Sequence, residues 1–310
     1  MNTAPRSPAR RALLAGAALC GVGREAQAAA GPWPRCVVDA QGRTLRLAAP
    51  PQRIVAIFPS NIEIVFALGL EARVAAIGGR VRYPEAALAK PSVGGALGYS
   101  PEALAALKPD LIVLTPSHGS ALGLVEPFER AGVAVLVLAH PDLAAVRRNI
   151  DLVGRATGSE AAAAALLARF DGSLAAIRQA WQGRPQPTVY LETAAAARGA
   201  YQTVGRGHYA DDALACAGGR NVFSDLAGAQ QVSAEAVLLR DPEVIVSLQA
   251  VPKPAEEIAA RPGWSRLRAV REGRVVVLPR SHFLIPGPRQ TEAVLAYARA
   301  LHPQAFGAAA

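Results

Sequence analysis

The chain has 310 residues, a formal net charge of +9, 51% hydrophobic and 18% charged residues, and three cysteines. The length suits two lobes of ordinary size, and a high apolar fraction with little charge excludes bulk disorder. The basic residues invite a nucleic-acid reading, but they are scattered arginines with only Lys90, Lys108 and Lys253 as lysines and no long basic run, so no nucleic-acid partner is expected.

Arg6, Arg10 and Arg11 precede an apolar run over residues 12–22, and Ala26-Gln27-Ala28 follows. This order reads as a secretory signal peptide over residues 1–28, with an apolar run too short to span a bilayer. Arg10-Arg11 after Ser7 loosely resembles a twin-arginine export signal. Cys20 suggests a lipid anchor, but Leu19 stands where that signal wants a small residue. Cleavage after Ala28 leaves the chain at +6 and places it outside the cytoplasm, in the periplasm. Cys36 and Cys216 then remain. An oxidising compartment permits their pairing, while their separation in sequence favours two separate buried thiols.

Along the chain, residues 37–49 read as a hairpin turning at Gln41-Gly42 and broken by Pro50-Pro51. Residues 53–58 (RIVAIF) form a short buried strand. Pro59-Ser60-Asn61 is expected to cap the helix that follows, which Gly69 ends. Strands at 74–77, 110–115 and 133–138 alternate with a helix at 101–107, capped by Ser100, and a helix end at 127–131. Such alternation predicts an α/β lobe with a largely parallel sheet over residues 36–157. A helix over 143–156 closes it. Residues 158–183 then hold an Ala- and Leu-rich helix of roughly 35 Å, long enough to bridge two lobes stiffly. The α/β pattern resumes over 184–306, with strands at 188–192, 243–248 and 274–278 and helices at 211–217, 234–240 and 290–301. The fold class expected is α/β: two lobes with mainly parallel central sheets and flanking helices, bridged by one long rigid helix.

One internal repeat stands out. SPEALAALKPDLIV from Ser100 echoes SAEAVLLRDPEVIV from Ser233, and each copy puts a glutamate, Glu102 or Glu235, in the first turn of a helix. Complementing the helix dipole accounts for one such glutamate. It does not account for one in each half in the same motif.

RIVAIFPSNIEIVFALG, SPEALAALKPDLIVL, ACAGGRNVF, QVSAEAVLLRDPEVIV, RPGWSRLRAVREGRVVVL and GPR, in that order, resemble the periplasmic solute-binding proteins of iron-chelate and cobalamin ABC importers. The resemblance implies two α/β lobes joined by one rigid helix, with ligand in the cleft between them. It also implies docking on a membrane permease through one glutamate per lobe, at the positions of Glu102 and Glu235. The cargo it implies is a metal chelate: a ferric siderophore or haem first, cobalamin second. No cofactor and no catalysis are expected, and the protein is expected to act as a monomer.

Candidate cleft residues follow from loops at strand ends. They are Pro59, Ser60 and Asn61, whose helix N-terminus would favour an anion; Tyr83 and Tyr99; His118 in Ser117-His118-Gly119; Tyr201, Arg206 and His208; and Arg280, His282, Phe283 and Arg289. Arginine forks suit the carboxylates of siderophores and haem. Trp264 is read as a packing anchor. Three rival readings stand beside this one. Gly205-Arg206-Gly207-His208-Tyr209-Ala210 matches a dinucleotide fingerprint weakly, without a clear strand before it. Ser117 and His118 suggest a secreted hydrolase, although no G-x-S-x-G elbow is present. His118, His208 and His282 suggest a bare transition-metal site.

Overall fold

The computed structural model describes residues 33–306 apart from 80, 96–97, 117–122, 124, 196–199 and 250–254. The signal-peptide expectation therefore lies outside the described residues, as do Ser117 and His118.

The chain opens on an antiparallel hairpin, β1 (Arg35–Val38) and β2 (Thr44–Leu47). Its turn is pinned to the first lobe because the buried Asp39 carboxylate accepts from the Gln41 and Arg43 amides while the Ala40 amide donates to the Val137 carbonyl. β3 (Ile54–Ala56), α1 (Pro59–Ala67), β4 (Val74–Ile77), the two-residue pair β5 (Gly94–Gly95) and β6 (Gly98–Tyr99), α2 (Pro101–Ala106), β7 (Leu111–Leu114), α3 (Val125–Arg130) and β8 (Ala134–Val137) follow. The sheet runs β4-β3-β7-β8, all parallel. β7 is buried at every position, with Leu111 and Val113 in one core layer and Ile112 and Leu114 in the other, as a strand covered by helices on both faces requires.

α4 (Leu143–Thr157) is capped by Asp142, whose carboxylate accepts from the Ala145 amide, and ends on Gly158 in the left-handed region. α5 (Glu160–Trp181) is 22 residues long, or roughly 33 Å. Its first half buries Ala163, Leu166 and Phe170 in the first lobe's core, and its second half buries Ile177 in the other lobe's core. One helix thus belongs to both cores, which is what makes it a stiff bridge. α4 and α5 meet closely at Gly154, where any Cβ would come within 2.6 Å of the Ala163 methyl.

The second lobe contains β9 (Thr188–Ala195), β10 (Ala200–Val204), α6 (Tyr209–Cys216), β11 (Arg220–Asn221), β12 (Ala229–Ser233), α7 (Ala234–Arg240), β13 (Val244–Gln249), α8 (Ala255–Ala259), α9 (Arg268–Arg271), β14 (Val275–Pro279), α10 (Arg280–Phe283), α11 (Gln290–Leu301) and α12 (Pro303–Phe306). Its sheet runs β12-β10-β9-β13-β14, with β11 also paired to β9. β9, β13 and β14 are parallel, as predicted; β10 is antiparallel to both its neighbours. Tyr201, expected in a loop, lies in β10, where AYQTV carries only a weak strand signal beside an Ala-rich stretch. Pairing on both edges makes it a strand.

Cys36 is exposed on β1 and Cys216 is buried at the end of α6, both as free thiols. Trp264 is fully buried, with Tyr190 edge-on to it and Tyr201 tilted against it. No helix among the described residues is long and apolar enough to cross a membrane.

Candidate ligand-binding cleft

The loops that leave β3, β7 and β8 at their C-terminal ends meet in one buried polar cluster. His140, which follows β8, brings Nε2 within 3.1 Å of Ser60 Oγ, 3.0 Å of Thr115 Oγ1 and 3.2 Å of Asn61 Oδ1. Asn149 on α4 donates to Nδ1 at 3.0 Å and to the Ala139 carbonyl at 2.8 Å, so the ring proton sits on Nε2. Asn61 also donates to the Ile57 carbonyl. Burial pushes the His140 pKa down to about 4, so the ring is neutral at physiological pH.

This cluster corrects the expected cap. α1 starts at Pro59, its N-cap is Phe58 at φ 93°, and no side chain caps it. Ser60 and Asn61 are fully buried within the first turn, so both side chains are committed to His140 and the Ile57 carbonyl. Their role is to lock three strand-end loops together. His140 carries the same sequence signal as His118, a polar residue just past a strand, and is a cleft residue outside the set expected from sequence.

The lobes touch beside this cluster. The His140 ring donates to the Pro286 carbonyl. Arg289 donates to Glu63 of α1 at 2.5 Å, and its guanidinium lies 3.8 Å from the centre of the Tyr83 ring. Glu63 is buried, and Gly287 packs so close that a Cβ there would lie 2.8 Å from Glu63 Oε2. Burial raises the Glu63 pKa, and the Arg289 hydrogen bond opposes the rise. A second tie joins the Leu143 amide to Asp212 on α6 at 3.2 Å. Arg289, expected as a free fork for ligand, is thus already neutralised within the interface between lobes.

The remaining candidates divide. Phe283 is buried against Tyr297, and Tyr201 is buried under Trp264 with the Arg261 guanidinium 4.5 Å from its ring centre. Both contribute to cores, Phe283 from α10 and Tyr201 from β10, because burying a ring against other apolar groups gains more than leaving it in a wet cleft. His208 caps α6 by accepting from the Ala210 amide and stacks on Tyr209; burial lowers its pKa to about 4. His282 lies in α10. Tyr83 is exposed and Tyr99 half-buried. Arg206 and Arg280 are exposed, and neither forms a salt bridge among the described residues. The Gly205 turn beside Arg206 is tight, since a Cβ at Gly205 would meet the Leu226 carbonyl oxygen at 2.2 Å. Glycine there serves a close backbone approach, which accounts for the weak dinucleotide match.

Residues 54–281 match the family described as periplasmic binding protein. The chain belongs to that family. The uncharacterized ABC transporter substrate-binding lipoprotein YvrC of Bacillus subtilis (strain 168) is 27% identical over 279 residues, spanning 88% of this chain and 87% of that protein. A cobalamin-binding protein of Halobacterium salinarum (strain ATCC 29341 / DSM 671 / R1) is 28% identical, spanning 85% of this chain and 73% of its own length. Among solved structures, a periplasmic heme-binding protein from Pseudomonas aeruginosa is 29% identical with a TM-score of 0.70, covering 82% of this chain and 93% of that one.

In this periplasmic binding protein the two repeat copies adopt the same local structure. Ser100 accepts from the Ala103 amide and donates to Glu102; Ser233 accepts from the Ala236 amide and hydrogen-bonds Glu235. Both glutamates are exposed. The Glu102 backbone amide and then Ser100 lower its pKa, and Ser233 with the Glu235 amide does the same in the other lobe, so each stays anionic.

Proposed function

We propose that the protein is the periplasmic substrate-binding component of an ABC importer, that it captures an anionic metal chelate, a ferric siderophore or haem, and that it hands this cargo to the membrane permease through Glu102 and Glu235. The observation that carries this reading is the matched pair of exposed glutamates. Each is held anionic at the same point of the same motif, one per lobe. Family membership supports the importer role; the heme-binding protein from Pseudomonas aeruginosa supports a haem-type cargo, while the cobalamin-binding protein of Halobacterium salinarum supports the second reading below.

The anionic character of the cargo is supported by Arg206 and Arg280, two exposed guanidinium groups that form no salt bridge among the described residues, although the Arg206 charge also acts on Asp225. The protein works as a monomer that catalyses nothing. Two lobes tied by α5 and by the Glu63–Arg289 pair close only slightly on ligand, so the permease distinguishes loaded from empty protein through a small difference in contact free energy. A second reading, cobalamin, gains support from the neutralisation of Arg289, which removes one of the arginines that favoured an acidic chelate.

Titration of the mature protein with hemin, a ferric hydroxamate and cyanocobalamin, followed by tryptophan fluorescence and absorbance, tests the ligand. Saturable binding of hemin or the ferric hydroxamate is expected. Saturation by cyanocobalamin alone would establish the second reading, and hydrolysis of ester substrates abolished in Ser117→Ala would replace both.

A further inference from the structure

Glu102 and Glu235 sit at matching points of the repeat, yet their surroundings differ. Beside Glu235 lies an open hollow of about 540 Å³, with Val232, Leu238 and Pro262 as its apolar walls, Gln231 and Ser233 as its polar ones and Tyr201 at its base. Next along α7, Leu239 is 87% exposed. The positions matching Leu238 and Leu239 in the first lobe's copy are Ala105 and Ala106. The buried members of the two helices correspond, Leu104 to Val237, so α2 and α7 seat alike and the difference is confined to the outer face.

The base of the hollow is stiff. Tyr201 is tilted against Trp264 and lies under the Arg261 guanidinium, and Arg261 makes two hydrogen bonds, 2.5 and 2.9 Å, to the fully buried Glu192. A preformed depression costs little ordering when it is filled. An anionic rim beside a depression with apolar walls on one side and a projecting leucine has the make-up of an interface centre rather than of a solvated face.

We infer that the second lobe's docking end is a two-point site, on the docking reading given above: a loop of the permease presents an Arg or Lys to Glu235 and, within about one helical turn of it, a bulky apolar side chain to the hollow, covering Leu239 as it seats. The first lobe's end engages through the charge of Glu102 alone. Docking is therefore polarised, with the second lobe as the tighter end.

The mature protein is titrated against the permease it feeds, held in lipid nanodiscs. The variants are Leu239→Ser, Ala200→Phe, which places a strand-compatible ring in the hollow, Ala106→Ser as the matched first-lobe control, and Glu235→Arg. Leu239→Ser and Ala200→Phe are each expected to weaken docking about tenfold, at low and at high salt alike, with unchanged thermal unfolding midpoints. Ala106→Ser is expected to match wild type. Wild-type docking by both hollow variants, with Glu235→Arg still impaired, overturns the inference and leaves the docking reading standing. Wild-type docking by Glu235→Arg as well overturns both. A dimer that Leu239→Ser converts to a monomer in sedimentation assigns the hollow to a second copy of the chain and overturns it too.

Discussion

Glu63 and Arg289 lie 226 residues apart in the chain and 2.5 Å apart in the fold, one from each lobe. Both side chains are almost wholly enclosed, with Tyr83 lying against the guanidinium and Gly287 against the carboxylate. A buried pair is worth little against an apolar substitute, but breaking it strands a charge. Arg289→Ala is expected to lower the unfolding free energy by about 3–5 kcal/mol in urea titrations. The neutral pair Glu63→Gln with Arg289→Met should recover most of that loss. An Arg289→Ala protein as stable as wild type would show that the pair does not hold the lobes.

The buried histidines set an acid limit. His140 and His208 titrate near 4 in the folded protein against an ordinary 6.5, because burial penalises the charged ring. Between those values the unfolded chain binds protons that the folded chain refuses. Stability is therefore full above about pH 6.5 and falls as pH drops toward 4, by at most about 1.4 kcal/mol per pH unit for each histidine. Glu63, whose pKa is raised by burial, works in the opposite sense, favouring the folded state at acid pH relative to neutral. Thermal midpoints measured from pH 7 to 4.5 should fall steadily in the wild type and less steeply in His140→Gln. Equal slopes would assign the loss to other groups.

Docking and capture should separate cleanly. Glu102 and Glu235 are exposed and, among the described residues, hydrogen-bond only within their own helix starts, so Glu102→Arg with Glu235→Arg should leave hemin or ferric hydroxamate titrations unchanged. The same double variant should abolish uptake in cells or proteoliposomes, since each new arginine faces a basic partner. Uptake at wild-type rate would refute the docking role.

Arg206→Ala and Arg280→Ala should each weaken binding of an acidic chelate by roughly fivefold or more at low salt, with a smaller effect at high salt. Neither side chain has a structural ion pair to lose among the described residues, so the unfolding free energy should move little. Affinity unchanged in both variants would remove the arginines from the cleft.

Much of this architecture is local and was legible along the chain. RIVAIF, DLIVLT and VAVLVL are short apolar runs between turn signals, and strands buried on both faces have no other pattern to show. Ser100 and Ser233 announced their helices because a capping hydroxyl acts within three residues. The length of α5 followed from an uninterrupted run of good helix formers, and its use as a bridge from that length. β10 escaped notice because its stability comes from pairing with β9 and β12, which no window of five residues contains.

The sequence by itself determined the main parallel strands and their helices, the linking helix and the repeat that presents Glu102 and Glu235, because propensity, capping and hydrophobic period act over a few residues. Only the tertiary structure decided which polar side chains are spent on the fold. Ser60, Asn61 and His140 close on one another, and Arg289 closes on Glu63, through contacts between elements tens to hundreds of residues apart. An arginine after a strand reads the same in sequence whether it awaits an anion or already holds one. The difference lies in a distance that only the assembled lobes create.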